Sequence, residues 1–112
     1  MSEALVTSMA DGGLVHVVVS GDIDLSNAAQ VEDHLFGAIS NQATAASVDL
    51  AGVGYLDSAG LRILFALAGR LEALQIALTL VVPVAAPARS VIELSGLSSV
   101  VSVRPRPGPR SG

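Results

Sequence analysis

The sequence predicts a single α/β domain: a mixed sheet of about five strands with three or more helices, in the order β-β-α-β-α-β-α-β. Three observations carry that expectation. Short apolar runs alternate with stretches of helical period, an arrangement that calls for crossover connections and parallel neighbours in one sheet. Asp11-Gly12-Gly13 separates the first two apolar runs, as the turn of a β-hairpin would. The chain of 112 residues is 51% hydrophobic and only 14% charged. That is too apolar for disorder, and enough chain to bury roughly two-thirds of its unfolded surface without a metal or disulfide.

The first strand is expected around Ala4–Met9 and the second over Leu14–Ser20. The second, LVHVVVS, is valine-rich enough to read as a central strand covered on both faces. Ser26 is a suitable N-cap for a helix from about Asn27 to Ser40. Ala28, Val31, Leu35, Ala38 and Ile39 fall on one face of it. Ala45–Leu50 reads as a strand and Ala51–Leu56, with glycines at 52 and 54, as the loop after it. Asp57-Ser58 opens a second helix to about Leu74, with Leu61, Leu64, Phe65, Ala68 and Leu71 facing the core. Ile76–Val82 is a further buried strand, and Pro87 starts a third helix through Leu94 that Gly96 ends. Ser99–Val103 supplies a last strand. The domain is therefore placed at residues 1–103, and the Arg/Pro-rich tail at 104–112 is expected to be disordered or polyproline-like.

Composition excludes several chemistries. There is no cysteine, so thiol catalysis and thiolate metal sites are out. All six basic residues are arginine, and a Walker A lysine or a Schiff-base lysine is missing. Three of those arginines lie in the tail, so residues 1–103 carry ten acids against three arginines, a poor match for phosphate backbones; no nucleic acid partner is expected. The uncharged run Ala73–Ala88 has sixteen residues and two prolines, too short for a span of about 20 apolar residues. With no basic start before an apolar stretch, a cytoplasmic protein without a membrane partner is expected.

In a parallel sheet, sites lie beyond the carboxyl ends of the strands. Here those ends are Gly21–Leu25, Ala51–Asp57 and the segment around Pro83. Ser58 should stand in the first turn of the second helix, where free backbone N–H groups and the dipole favour negative charge. From spacing alone, Asp57 or Ser58 acting only as a cap is the favoured reading. A hydrolase elbow needs glycine two residues before the serine, but Leu56 is there, and both histidines precede Ser58. Gly52-x-Gly54-x-x-Asp57 imitates a dinucleotide fingerprint with an acid in place of the third glycine, so the glycines are assigned to turn geometry. Asp22, Asp24, Asp49 and Asp57 all lie near strand ends and are read mainly as turn and cap residues. His16 and His34 have no metal-ligand spacing, and no metal or cofactor is expected.

The run Val48-Asp49-Leu50-Ala51-Gly52-Val53-Gly54-Tyr55-Leu56-Asp57-Ser58-Ala59-Gly60-Leu61 resembles the signature of the STAS domain of bacterial anti-sigma-factor antagonists. Gly21-Asp22-Ile23-Asp24, Pro87 with Arg89, and Ser95-Gly96-Leu97 add to the likeness, which covers about residues 4–103. The resemblance implies a STAS-like fold without catalysis of its own. It also implies that Ser58 is phosphorylated by an anti-sigma factor that is a serine kinase with a GHKL-type ATP site. The unphosphorylated form then binds that kinase and frees sigma, and a phosphatase restores it. Asp22, Asp24, Ser26, Tyr55, Asp57, Ser58, Ala59, Gly60 and Arg62 are the positions implied for partner contact. Ala59 replaces a frequent second hydroxyl and Arg62 a frequent glycine. Alternatives left open are a STAS subunit of another assembly, such as a lipid-transporting ABC ATPase or a stressosome, and a nucleotide- or anion-binding domain.

Overall fold

The computed structural model describes residues 2–106. It contains β1 (Ala4–Asp11), β2 (Leu14–Ile23), α1 (Ala28–Ala38), β3 (Ala45–Leu56), α2 (Ser58–Ala73), β4 (Ala77–Val81), α3 (Ala88–Ser95) and β5 (Ser102–Arg104), with a 3-10 turn at Leu97–Ser99. The five strands form one mixed sheet in the order β1-β2-β3-β4-β5. β1 is antiparallel to β2 and every other pairing is parallel. The predicted class and element order are those observed.

The β1–β2 hairpin closes on the pair Asp11–Leu14 through Gly12 and Gly13, at φ 56° and 91°. Only glycine enters that left-handed pair of positions cheaply, and the resulting twist matches that of the flanking strands. From β2 onward, each strand is followed by a helix and then by its parallel neighbour on the same side. Right-handed crossovers that always step in one direction put every helix on one face. Val15, Val17 and Val19 of β2, Ala46, Val48 and Leu50 of β3, and Leu80 of β4 fill the covered face against Val31 and Leu35 of α1, Ile63, Leu67 and Leu71 of α2, and Ile92 of α3. The opposite face stays open, so β2 alternates exposed and buried residues. That corrects the expectation of a strand covered on both sides: His16 and Val18 face outward.

Three further expectations are corrected. The segment 51–56 is no loop: β3 runs on to Leu56, paired with β2 to its last residue, Ile23, through two register shifts. Gly52 and Gly54 therefore serve close approach within the ladder rather than a turn. A Cβ at 52 would lie 3.0 Å from the Cβ of Ser20, and one at 54 would lie 3.1 Å from Asp22 Oδ1. On α2 the buried stripe is Gly60, Ile63, Leu64, Leu67, Ala68 and Leu71, and Phe65 is exposed. The helix is apolar nearly all round, so its period did not fix which side turns inward. Finally, Arg104 belongs to β5, pairing with Val81, and its carbonyl accepts from Val82 N–H at 2.7 Å. Residues 107–112 of the tail lie outside the described residues.

Candidate functional site

Asp57 ends the β2–β3 ladder and begins α2. Its N–H donates to Ile23 O at 3.3 Å, and its carboxylate Oδ1 accepts from Ala59 N at 2.9 Å and Gly60 N at 3.2 Å. This is an N-cap in extended conformation, φ −103° and ψ −169°, and it satisfies two of the helix's otherwise unpaired donors. The expectation that these donors stand free is thus corrected. Ser58, the next residue and the first of α2, is exposed, and its hydroxyl has no partner among the described hydrogen bonds of the first turn.

Gly60 is buried, which corrects its place among the contact positions. A Cβ there would lie 2.3 Å from Leu56 Cδ1 and 3.2 Å from Ile23 Cγ2. The absent side chain lets the first turn of α2 sit down on Ile23 and Leu56 at the ends of β2 and β3; Ser58 lies in that turn, next to Asp57, whose N–H bonds Ile23 O. Gly21 is itself required there, with φ 96° and a Cβ that would fall 2.3 Å from Glu3 O; no L side chain fits.

The neighbouring wall is a self-contained turn. Asp24 Oδ1 accepts from the Ser26 N–H at 2.9 Å and from its hydroxyl at 2.6 Å, while Oδ2 accepts from the Ser2 hydroxyl. Those bonds, the Ser2 hydroxyl first and Ser26 next, hold the Asp24 carboxyl below its ordinary pKa, with burial acting weakly the other way. Ser26 does not cap α1 as expected: the helix begins at Ala28, and the Ser26 hydroxyl donates to Asp24 and accepts from Ser2 N–H at 3.4 Å. Asn27 occupies the cap position without a side-chain cap bond. Its amide instead donates to Asp22 O at 2.8 Å, and its Oδ1 accepts from Asp24 N–H at 3.0 Å. Asn27 is the one buried polar side chain among the described residues, and it was absent from the sequence-derived set. The Asp-x-Asp-x-x-Asn spacing was its signal, since Asn bonds readily to nearby backbone.

Asp22, Tyr55 and Arg62 are exposed and Ala59 is half-buried. With Asp24, Asp57 and Ser58 they share one rim, at the carboxyl ends of β2 and β3. Leu25 beside them is 82% exposed and was also not singled out. Among the described residues, no group of His, Cys, Asp or Glu side chains is placed to hold a metal ion. Arg89 sits apart from the rim: its guanidinium donates to Val82 O at 2.5 Å and lies 3.7 Å from Glu93, tying α3 to the end of β4.

The family model described as "Mlab, STAS domain" matches residues 7–102. The chain belongs to the STAS domain family. Among solved structures, this STAS domain is similar to an anti-sigma factor antagonist from Mycobacterium paratuberculosis, with 27% identity, 92% of this chain and 86% of that one covered, and a TM-score of 0.76. It shares its fold with the anti-sigma factor antagonist SpoIIAA in its unphosphorylated form (17% identity, 88% and 86% covered, TM-score 0.62). The same holds for the Bacillus cell fate determinant SpoIIAA in the phosphorylated form (19%, 88% and 90%, TM-score 0.58). No curated protein matches the chain. No helix among the described residues is long and apolar enough to cross a membrane.

Proposed function

We propose that this STAS domain is an anti-sigma factor antagonist whose docking rim is switched by phosphorylation of Ser58. The observation that carries the reading is the exposed Ser58 at the head of α2, in the turn that buried Gly60 packs onto Ile23 and Leu56. The likeness to the M. paratuberculosis antagonist supports the same role. The partner is an anti-sigma factor with serine kinase activity, and a phosphatase returns the protein to its binding form.

The chemistry follows from the rim. A phosphate adds about −1.5 to −2 charges to a surface that already presents Asp22, Asp24 and Asp57. The Ala59 and Gly60 amides are held by Asp57 and do not neutralise it. A partner that closes over this rim must desolvate the dianion. A penalty of about 3 kcal/mol lowers affinity roughly a hundredfold, with no change of fold. Calorimetry against the cognate kinase tests this. Unphosphorylated protein and Ser58→Ala should bind, phosphorylated protein and Ser58→Asp should bind far more weakly, and kinase with ATP should label wild type and not Ser58→Ala. Equal affinity of both forms refutes the switch.

A second reading draws on the exposed flank of α2, where Arg62, Phe65 and Ala66 face solvent. In it, α2 docks the ATPase of a lipid transporter and Ser58 is never modified. An intact mass from the native host without phosphate, with an ATPase co-purifying through α2, selects that reading.

A further inference from the structure

We propose that β1 is a self-association edge, to which a second copy of this chain adds its own β1 antiparallel, joining two five-stranded sheets into one. The sheet has two edges, and only one is guarded. β5 has three residues, ends in Arg104 and is followed by Pro105, the short, charged, proline-stopped edge that resists pairing. β1 is the opposite: eight residues long, unbroken in register with β2 from Ala4 to Asp11, and without charge or proline from Ala4 to Ala10. Glu3 O accepts from Asp22 N–H, and Asp11 faces Leu14 across the hairpin turn. The odd-numbered residues therefore direct their backbone groups to β2. Alternation leaves the N–H and C=O groups of Ala4, Val6, Ser8 and Ala10 pointing outward along the edge, without a partner among the described residues.

A two-fold axis at Thr7 keeps the helices of both copies on one side and satisfies these groups. Val6 pairs with Ser8 of the second copy, and Ala4 with Ala10. On the open face, Leu5 of each copy meets Met9 of the other; these side chains are 63% and 72% exposed in the single chain. Val18, across from Thr7, and Leu14, both exposed, extend the apolar strip. Seven residues at about 3.4 Å each give an edge roughly 24 Å long and about one layer deep, well short of the ~1,200 Å² of a stable interface. The dimer is accordingly weak and concentration-dependent. Glu3 faces Asp11 of the second copy at both ends, so added salt, by screening like charges, strengthens it.

Sedimentation velocity on the full chain across a wide concentration range tests this, independently of any role for Ser58. The expected result is a weight-average mass rising from one chain toward two, at lower concentration in high salt than in low. Thr7→Lys, at an exposed position, should remain monomeric because the axis sets the two lysines against each other; Thr7→Glu likewise; an equimolar mixture of the two should form the heterodimer. Amide exchange of wild-type Val6 and Ser8 should slow as concentration rises. A wild type that stays monomeric up to about millimolar concentration, a Thr7→Lys variant that dimerises as wild type does, or a mixture that stays monomeric overturns the proposal.

Discussion

Gly60→Ala, set against Gly69→Ala on the same helix, isolates the close approach that seats the site. Replacing a helical glycine by alanine ordinarily stabilises by about 0.5–1 kcal/mol. Gly69 is exposed and a Cβ there would meet nothing within 4 Å, so Gly69→Ala should deliver that gain. At Gly60 the same Cβ lies 2.3 Å from Leu56 Cδ1 and 3.2 Å from Ile23 Cγ2, whereas carbon atoms rest at about 3.5–4.0 Å. Leu56 and Ile23 are 4% and 3% exposed, so neither swings away freely. Overpacking of this kind costs about 1–3 kcal/mol. The two variants should thus differ by about that amount with opposite signs, which at about 4–8 °C per kcal/mol for a domain near this size is a separation of several degrees or more in Tm. Urea unfolding with unchanged m-values checks the free energies. If Gly60→Ala stabilises as much as Gly69→Ala, then α2 does not rest on the ends of β2 and β3, and the placement of Ser58 fails with it.

Asp57→Ala should cost about 1 kcal/mol, within the 0.5–2 range of lost caps, while Asp57→Asn, which keeps an accepting oxygen, should remain within a few tenths; thermal unfolding separates them. The Asp24 carboxyl, held by Ser2 and Ser26, titrates below its ordinary value, so the stability it lends is complete above about pH 4 and is lost as pH falls through the lowered folded value. An NMR titration should show this depressed pKa, and Ser26→Ala should raise it. Phosphate on Ser58 should lower Tm by no more than several degrees and leave the domain folded. Repulsion between a phosphate dianion and a carboxylate about 5 Å apart in water would be roughly 1–2 kcal/mol, partly offset by a dipole gain of about 0.3–1 kcal/mol, with the remainder fading in high salt. A rise of many degrees on phosphorylation would mean the first-turn amides are free to hold it.

The elements legible in the sequence were those fixed by local chemistry. The Asp-Gly-Gly turn, the valine run of β2, Gly96 at the end of α3 with φ 83°, and the helix beginning at Ser58 each follow from a handful of adjacent residues. What stayed hidden depended on partners far along the chain. Gly52 and Gly54 look like turn residues until Ser20 and Asp22 are placed beside them; the pairing with β2, not local propensity, makes that stretch a strand. Phe65 followed the apolar period, but α2 offers apolar side chains in almost every direction, and the contact of Gly60 with Leu56 and Ile23 sets its phase. Ser26 satisfies the rule for a cap, but α1 begins one residue later than that role requires, and Asn27 takes the cap position and fastens the turn. The one-sided sheet was likewise invisible before the strand order was known, because a buried strand and a half-buried one can both be rich in valine.

If the proposed function holds, the topology accounts for how charge at the rim regulates docking without disturbing the core. β4 pairs with β3 only as far as Asp49–Val81, while β3 continues another seven residues, Leu50 to Leu56, with β2 as its ladder partner. The carboxyl end of that ladder is therefore free on its β4 side, and Asp57 and Ser58 sit at its tip. The helices all lie on one face, so the core is complete beneath them without any contribution from the tip beyond Leu56, Ile23 and the missing side chain of Gly60. Charge added at Ser58 is consequently felt by whatever closes over the rim and hardly at all by the hydrophobic core. A serine placed one turn further along α2, at Leu61, would carry its phosphate against half-buried packing, and its modification would unfold as well as undock.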